Sequence, residues 1–324
     1  VLCAEATGMV LGSPEADALG GSGPAEAGVV ALEKSDVGTG PITPIEVLTP
    51  VGRAEETARE LAGVEGVRAA SAPEGPQWRR QGQAVLEVFA DDDANSGEGR
   101  ATVERVVEAA ALQGVGPGGT TAQASDFIDS VYGSFPLMLA LISLITFVLL
   151  ARAFRSLVLP LKAIVLNLAS VFATWGVMTL VWQHGFGSEL LFGADPTGSV
   201  VFWTPFMVFA FIYGLSMDYE VFILARMREE YDATGDTDEA VVRGIARTGR
   251  LVTSAALIVF FAFASMGTTG PVDVKMLATG LAGGVLLDAL VVRTLLVPSA
   301  VSLFGRWNWW FPEPARRLLR LQPA

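Results

Sequence analysis

Between Val200 and Arg228 the chain runs for the length of a membrane span almost without charge, and the motif Gly214-Leu-Ser-Met-Asp-Tyr-Glu220 is set into the second half of that run. A hydrocarbon core about 30 Å thick takes roughly 20 apolar residues as a helix. Asp218, two turns short of Arg226, therefore falls inside the bilayer and not at its edge. A carboxylate there costs on the order of 2.5–3.5 kcal/mol on insertion scales, so proteins keep one where it faces a bundle interior and serves a function. A carboxyl so placed is suited to taking up and releasing a proton, and Tyr219 beside it adds a hydroxyl that donates or accepts.

Four further apolar runs accompany this one. The spans predicted are residues 134–151, 158–183, 200–226, 251–267 and 276–304, within a transmembrane region of 131–306. A mean hydropathy of +0.47, with 51% hydrophobic residues, agrees with that count. Orientation follows from the arginines. Arg152 and Arg155 follow the first span, Arg226, Arg228, Arg243, Arg247 and Arg250 lie between the third and fourth, and Arg306, Arg316, Arg317 and Arg320 follow the fifth. The remaining loops, His184–Ser199 and Thr268–Lys275, offer only Lys275. The positive-inside rule places the arginine-rich loops and the tail of residues 307–324 in the cytoplasm, with residues 1–130 outside. Trp307, Trp309 and Trp310 then sit at the inner interface. Residues Glu229–Gly249 are expected as a polar cytoplasmic connector with a short amphipathic helix.

The first part of the chain is of another kind. Residues 1–130 carry 8 Lys and Arg against 21 Asp and Glu, whereas the rest carries 14 against 13. That acidity suits an extracytoplasmic domain and argues against nucleic acid as a partner. Residues 1–40, rich in Gly, Ala, Pro and Glu, are expected as a loosely ordered lead-in. Over residues 41–130 the pattern is strand Thr43–Leu48, helix Arg53–Ala62 with Ala54, Ala58, Leu61 and Ala62 on one face, and strand Gly66–Ala70. Strand Gln83–Ala90 follows, then helix Gly99–Leu112 with Val103, Val106, Val107, Ala110 and Ala111 inward, and a closing strand at Gly118–Ala122. The order βαββαβ predicts a ferredoxin-like α+β subdomain. Cys3 is the one cysteine, so no disulfide framework is possible. Asp91, Asp92 and Asp93 end a strand, where a solvated turn is a commoner outcome than a cation site, and neither a metal nor a cofactor is expected.

Within the spans, Glu220 lies about 200° around the helix from Asp218, so the two cannot share a face. It is expected to orient a partner helix or to face a cytoplasmic cavity. Asp288 and Arg293 are deep in the last span and, five residues apart, are expected to meet partners on other helices and not each other. Arg293 falls at a depth similar to that of Asp218, whose charge it is placed to hold; the alternative is that it reaches toward the cytoplasmic face. Lys162 is expected as an interfacial anchor. Gly280, Gly283, Gly284, Ser254, Ala255 and Ala256 are small residues that allow close helix approach. His184 has no assigned role. No nucleotide-binding loop and no Ser/His/Asp pattern is present, which removes support for ATP-driven transport and for hydrolase chemistry.

The string GLSMDYEVFILARMREEY, with TGRLVTSAA from Thr248, LDALVVR from Leu287, Arg152-Ala-Phe-Arg-Ser156 and Gly305-Arg-Trp-Asn-Trp-Trp310, resembles the MMPL branch of the RND superfamily, exporters driven by the proton gradient. The likeness runs over nearly the whole chain. It implies an α-helical multi-pass membrane protein, with five transmembrane helices and one extracytoplasmic ferredoxin-like porter subdomain, acting as a secondary transporter and not an enzyme. It also implies a proton relay at Asp218 and Tyr219, with Ser216, Glu220, Asp288 and Arg293 as coupling candidates. Membrane lipids, a hydrophobic or lipid substrate and a second copy are the implied partners. In that family each half has one helix before its soluble domain and five after it. The start at Val1 without Met, in a stretch interrupted by Glu5 and Gly8, is expected to be a truncation, leaving a C-terminal half without the preceding helix or the N-terminal half. A relay carboxylate would change charge as the proton passes, moving the porter domain through the connection around Phe127–Phe135. Two rivals remain: a structural or regulatory membrane subunit in which Asp218 is a packing charge, and another RND-type activity such as assistance to protein export.

Overall fold

Period-two burial builds the sheet. In strand β2 (Ile45–Pro50) Ile45, Val47 and Thr49 point inward, and in strand β5 (Gln83–Ala90) Ala84, Leu86, Val88 and Ala90 do so. The computed structural model that shows this describes residues 1–13, 24–268 and 270–313. Residues 14–23 of the lead-in and 314–324 of the tail, with Arg316, Arg317 and Arg320, lie outside the described residues. The chain divides into two units: Val10–Gly133 with Val181–Trp203, and Val1–Met9 with Ser134–Leu180 and Thr204–Ala324.

In the first unit β2 and β5 are antiparallel, with Val47 opposite Leu86 and Ile45 opposite Val88. Strands β3 (Val67–Ser71) and β6 (Gly116–Gly118) complete the order β3-β5-β2-β6, every pair antiparallel, and β4 (Arg79–Arg80) adds to β5. Helices α1 (Ala54–Leu61) and α2 (Gly97–Leu112) pack Ala54, Ala58, Leu61, Val103, Val106 and Ala110 onto it. Each fully buried Leu or Val contributes about 1.5–3 kcal/mol. Ala62 and Ala111, expected inward, are exposed. The wall is completed by Thr57, whose hydroxyl lies 3.4 Å from that of Thr49. The closing strand comes earlier than expected, because Gly119 takes φ +81° and ends it, and residues of the expected strand start helix α3 (Gly119–Phe127) instead.

Two more expectations change in this unit. Part of the lead-in is a helix, Pro24–Glu33, in keeping with its alanine and glutamate content. Val200 and Val201 form strand β7 against β1 (Leu11–Gly12), in parallel, so the third span starts later than the hydropathy suggests. Asp93 is buried and accepts hydrogen bonds from Thr43 Oγ1 at 3.0 Å and Asn95 N at 2.9 Å, while Asp91 pairs with Arg68 at 3.1 Å. Both are occupied in holding loops.

In the second unit the helices are α4 (Gly133–Phe154), α5 (Val158–Met178), α6 (Thr204–Thr234), α7 (Thr237–Met266) and α8 (Val272–Leu287). A π-helical stretch, Asp288–Leu296, continues α8 into α9 (Val297–Phe304). Among the described residues, five helical stretches are long and apolar enough to cross a membrane. On α4, Leu137, Leu141, Leu144, Ile145 and Leu149 are exposed, the surface expected of a helix facing lipid. Helix α8 approaches its neighbours closely at two glycines. A Cβ on Gly280 would stand 2.7 Å from Met178 Sδ and Val208 Cγ2, and one on Gly284 would stand 2.8 Å from Ile212 Cδ1.

The expected polar connector Glu229–Gly249 is instead the body of a helical hairpin. Helices α6 and α7 run through it, leaving only Gly235, at φ +70°, and Asp236, whose Oδ1 caps Glu239 N at 2.9 Å. The polar residues there pair both along each helix, as Glu239 does with Arg243, and across the hairpin. Glu230, 5% exposed, pairs across the hairpin with Arg247 and, at 3.8 Å, with Arg243. The segment Gly305–Trp309 packs against the α6–α7 hairpin. Asn308 is fully buried, its carbonyl accepting from Ser156 Oγ at 2.5 Å, and Trp309 stacks on Tyr231 at 4.2 Å. Trp307 and Trp310 are exposed.

Candidate functional site

A polar cluster is buried among α5, α6 and the π-helical stretch after α8. It begins with Asp288 and Arg293, which pair with each other: Arg293 Nε and Nη2 stand 2.6 and 2.5 Å from Asp288 Oδ2. Both are at least nine-tenths buried. This corrects the expectation from α-helical spacing. The backbone between them is π-helical, with i→i+5 bonding, and residues five apart then stack on one face.

The pair is also held from outside its own helix. Arg293 Nη2 donates to Ser216 O at 2.8 Å, and Ser216 Oγ lies 2.6 Å from Asp288 Oδ1 and 2.8 Å from Asn167 Oδ1. Charge-assisted bonds of this kind offset the cost of taking both ions out of water. The Tyr219 ring faces the Arg293 guanidinium at 4.7 Å, a cation–π contact. A narrow crevice of about 10 Å³ opens here, lined by Ser216, Tyr219, Asp288 and Arg293 with Ile212 and Val285.

One turn along α6, Glu220 is 4% exposed and lines a second, narrow crevice, of about 10 Å³, with Lys162. Asn167, Asp288 and Arg293 are the polar groups that its carboxyl senses. Asp218 is not part of the cluster. It lies on the opposite, exposed side of α6, where it makes no hydrogen bond or ion pair among the described residues. Arg293 is therefore committed to Asp288 and Ser216 rather than to Asp218. Five of the six candidate residues are thus brought together and the sixth is set apart. Asn167, 1% exposed, was not singled out from the sequence, although an amide in the middle of an apolar span is a signal of the same kind as Asp218. Lys162 is no free anchor: its Nζ donates to Ala300 O at 3.1 Å and to Asn308 Oδ1. Among the described residues no group of three or more His, Cys, Asp or Glu is placed to hold a metal ion.

Five helices long and apolar enough to cross a membrane, with an ion pair buried among three of the helical stretches, define an integral membrane protein. The chain belongs to the MMPL family, whose model matches residues 82–321. It is 33% identical over 331 residues to the heme uptake protein MmpL11 of Mycobacterium tuberculosis, an alignment covering 97% of this chain and 33% of that protein. It is 38% identical over 202 residues to the mycolic acid-containing lipids exporter MmpL11 of Mycolicibacterium smegmatis, covering 62% and 21%. Against the trehalose monomycolate exporter MmpL3 of Mycobacterium tuberculosis the identity is 40% over 202 residues, again 62% and 21%. The chain spans about a third of the length of the MmpL11 protein that it matches from end to end.

Proposed function

We propose that this chain is the C-terminal half of a proton-driven MMPL transporter that exports lipids or other hydrophobic molecules. The observation that carries the reading is the division of polar groups on α6. Asp218 stands on an exposed stripe with Phe211, Gly214 and Phe222, while Ser216 and Glu220 face the buried ion pair. Asp218 lies 14 residues into α6, about 21 Å along it at 1.5 Å per residue, far from water in a bilayer. A carboxylate against lipid at that depth is costly, so the stripe is assigned to the remainder of the transporter and not to lipid.

Protonation of Asp218 removes a charge from one face of a helix whose other face grips Asp288 and Arg293 through Ser216. Moving one charge across the membrane supplies about 2.3 kcal/mol per 100 mV, enough to bias two arrangements of α6. Tyr219, with its ring on Arg293, sits between the two faces. The arginines of the α6–α7 hairpin support a cytoplasmic inner end and an extracytoplasmic first unit. The strand order β3-β5-β2-β6 with α1 and α2 on the sheet supports a ferredoxin-like porter subdomain.

The test is Asp218→Asn in the full-length protein, with labelled lipid followed out of intact cells. Loss of proton-gradient-dependent export at normal membrane abundance is the expected outcome. Export equal to the parent would favour the structural-subunit alternative.

A further inference from the structure

We infer that Glu220 and Lys162 form the inner leg of the proton path, carrying a proton from the Asp288–Ser216–Arg293 cluster toward the end of the bundle closed by Asn308. The inference rests on the proton-driven reading above and adds to it a route and two residues.

Three observations converge on it. Glu220 is 4% exposed, and its Oε2 is buried without a hydrogen-bond partner, in a wall of the crevice that Lys162 also lines. A carboxyl oxygen so placed, in a cleft with a second polar group, is suited to receiving a water molecule. Next, Glu220 is one helical turn, about 6 Å, from Ser216, and Asn167 touches both positions. Polar groups thus stand on both sides of a single gap, between Ser216 and Glu220 Oε2, on the way from the ion pair to the crevice. Finally, Lys162 is held at the far side by Ala300 O and Asn308 Oδ1 and lies 4.7 Å from the centre of the Phe304 ring, so its ammonium is fixed beside the crevice instead of extending freely.

The groups facing Glu220 are Asn167 and Lys162 from α5 and Asp288 and Arg293 from the π-helical stretch. A proton that reaches Asp288 passes by way of the Ser216 hydroxyl and a bridging water to Glu220 Oε2. Glu220 then releases it to water at the Lys162 side and returns to carboxylate. Only O–H bonds form and break, and each group regains its starting charge.

The experiment uses the full-length transporter in proteoliposomes with a trapped pH-sensitive dye, under an imposed proton gradient. Glu220→Gln is expected to slow proton movement about a hundredfold, the size of effect typical for loss of one proton-transfer group, and Glu220→Asp to restore part of it. Lys162→Met is expected to slow it less than Glu220→Gln does, because Lys162 lines the crevice without itself carrying the proton. Parent-level movement in Glu220→Gln, with Asp218→Asn still inactive, would overturn the inner leg and leave the relay standing. A parent that moves no protons would overturn both. If Glu220→Gln does not accumulate, the unsubstituted protein is treated with dicyclohexylcarbodiimide and the adduct located by mass. Modification at Glu220 that stops proton movement supports the inference, and movement that continues with Glu220 fully modified contradicts it.

Discussion

Removing the Arg293 guanidinium alone would strand the Asp288 carboxylate in an apolar interior, keeping only the Ser216 hydroxyl beside it. Arg293→Met is therefore expected to cost about 3–5 kcal/mol, and the double change Asp288→Leu/Arg293→Met less than either charge removed singly, because no unpaired ion remains. Thermal unfolding of the full-length protein in detergent measures both. A loss in the double variant equal to the sum of the two single losses would show that the ion pair does not act as a unit. Ser216→Ala, which takes one acceptor from Arg293 and one donor from Asp288, is expected to cost about 1–3 kcal/mol in the same assay. All these residues except Asn167 were legible as candidates, since charge and hydroxyl in an apolar span stand out in any sequence. Their pairing was not. The contact between Asp288 and Arg293 depends on a π-helical backbone that periodicity of 3.6 does not reveal.

Among the elements, the α6–α7 hairpin was the least legible. Its polar residues read as a connector because in isolation Glu230, Arg243 and Arg247 have the composition of a solvated segment. Only the meeting of two helices buries Glu230 and pairs it with the exposed Arg243 and Arg247. The closeness of that meeting depends on Gly244, where a Cβ would stand 2.7 Å from Met227 Cγ and 3.2 Å from Met227 Cα. Because backbone cannot rotate away, Gly244→Leu is expected to destabilise by about 1–3 kcal/mol. Gly283→Ala is expected to be nearly neutral, its Cβ meeting only Val177 Cγ1 at 3.9 Å. Unfolding midpoints of the two variants separate them, and a neutral Gly244→Leu would mean that the hairpin is looser than described. The sheet was easier to read, since alternation in β2 and β5 survives whatever packs on them. The closing strand slipped because a glycine at positive φ, and not a change in hydropathy, marks its end.

At the scale of the whole molecule, the chain presents a stripe of Phe211, Gly214, Asp218 and Phe222 that lipid alone would not accommodate, together with a buried ion pair on the other side of the same helix. A transporter that used α6 as its moving part would need both. Coupling of proton entry to substrate movement is measured in proteoliposomes of the full-length protein, as transfer of a labelled lipid with and without an imposed proton gradient. The gradient is expected to accelerate transfer by the parent about tenfold or more, the effect of roughly 1.4 kcal/mol, and to leave transfer by Asp218→Asn unchanged. Transfer by the parent that is equally fast without a gradient, or acceleration that persists in Asp218→Asn, would contradict that coupling.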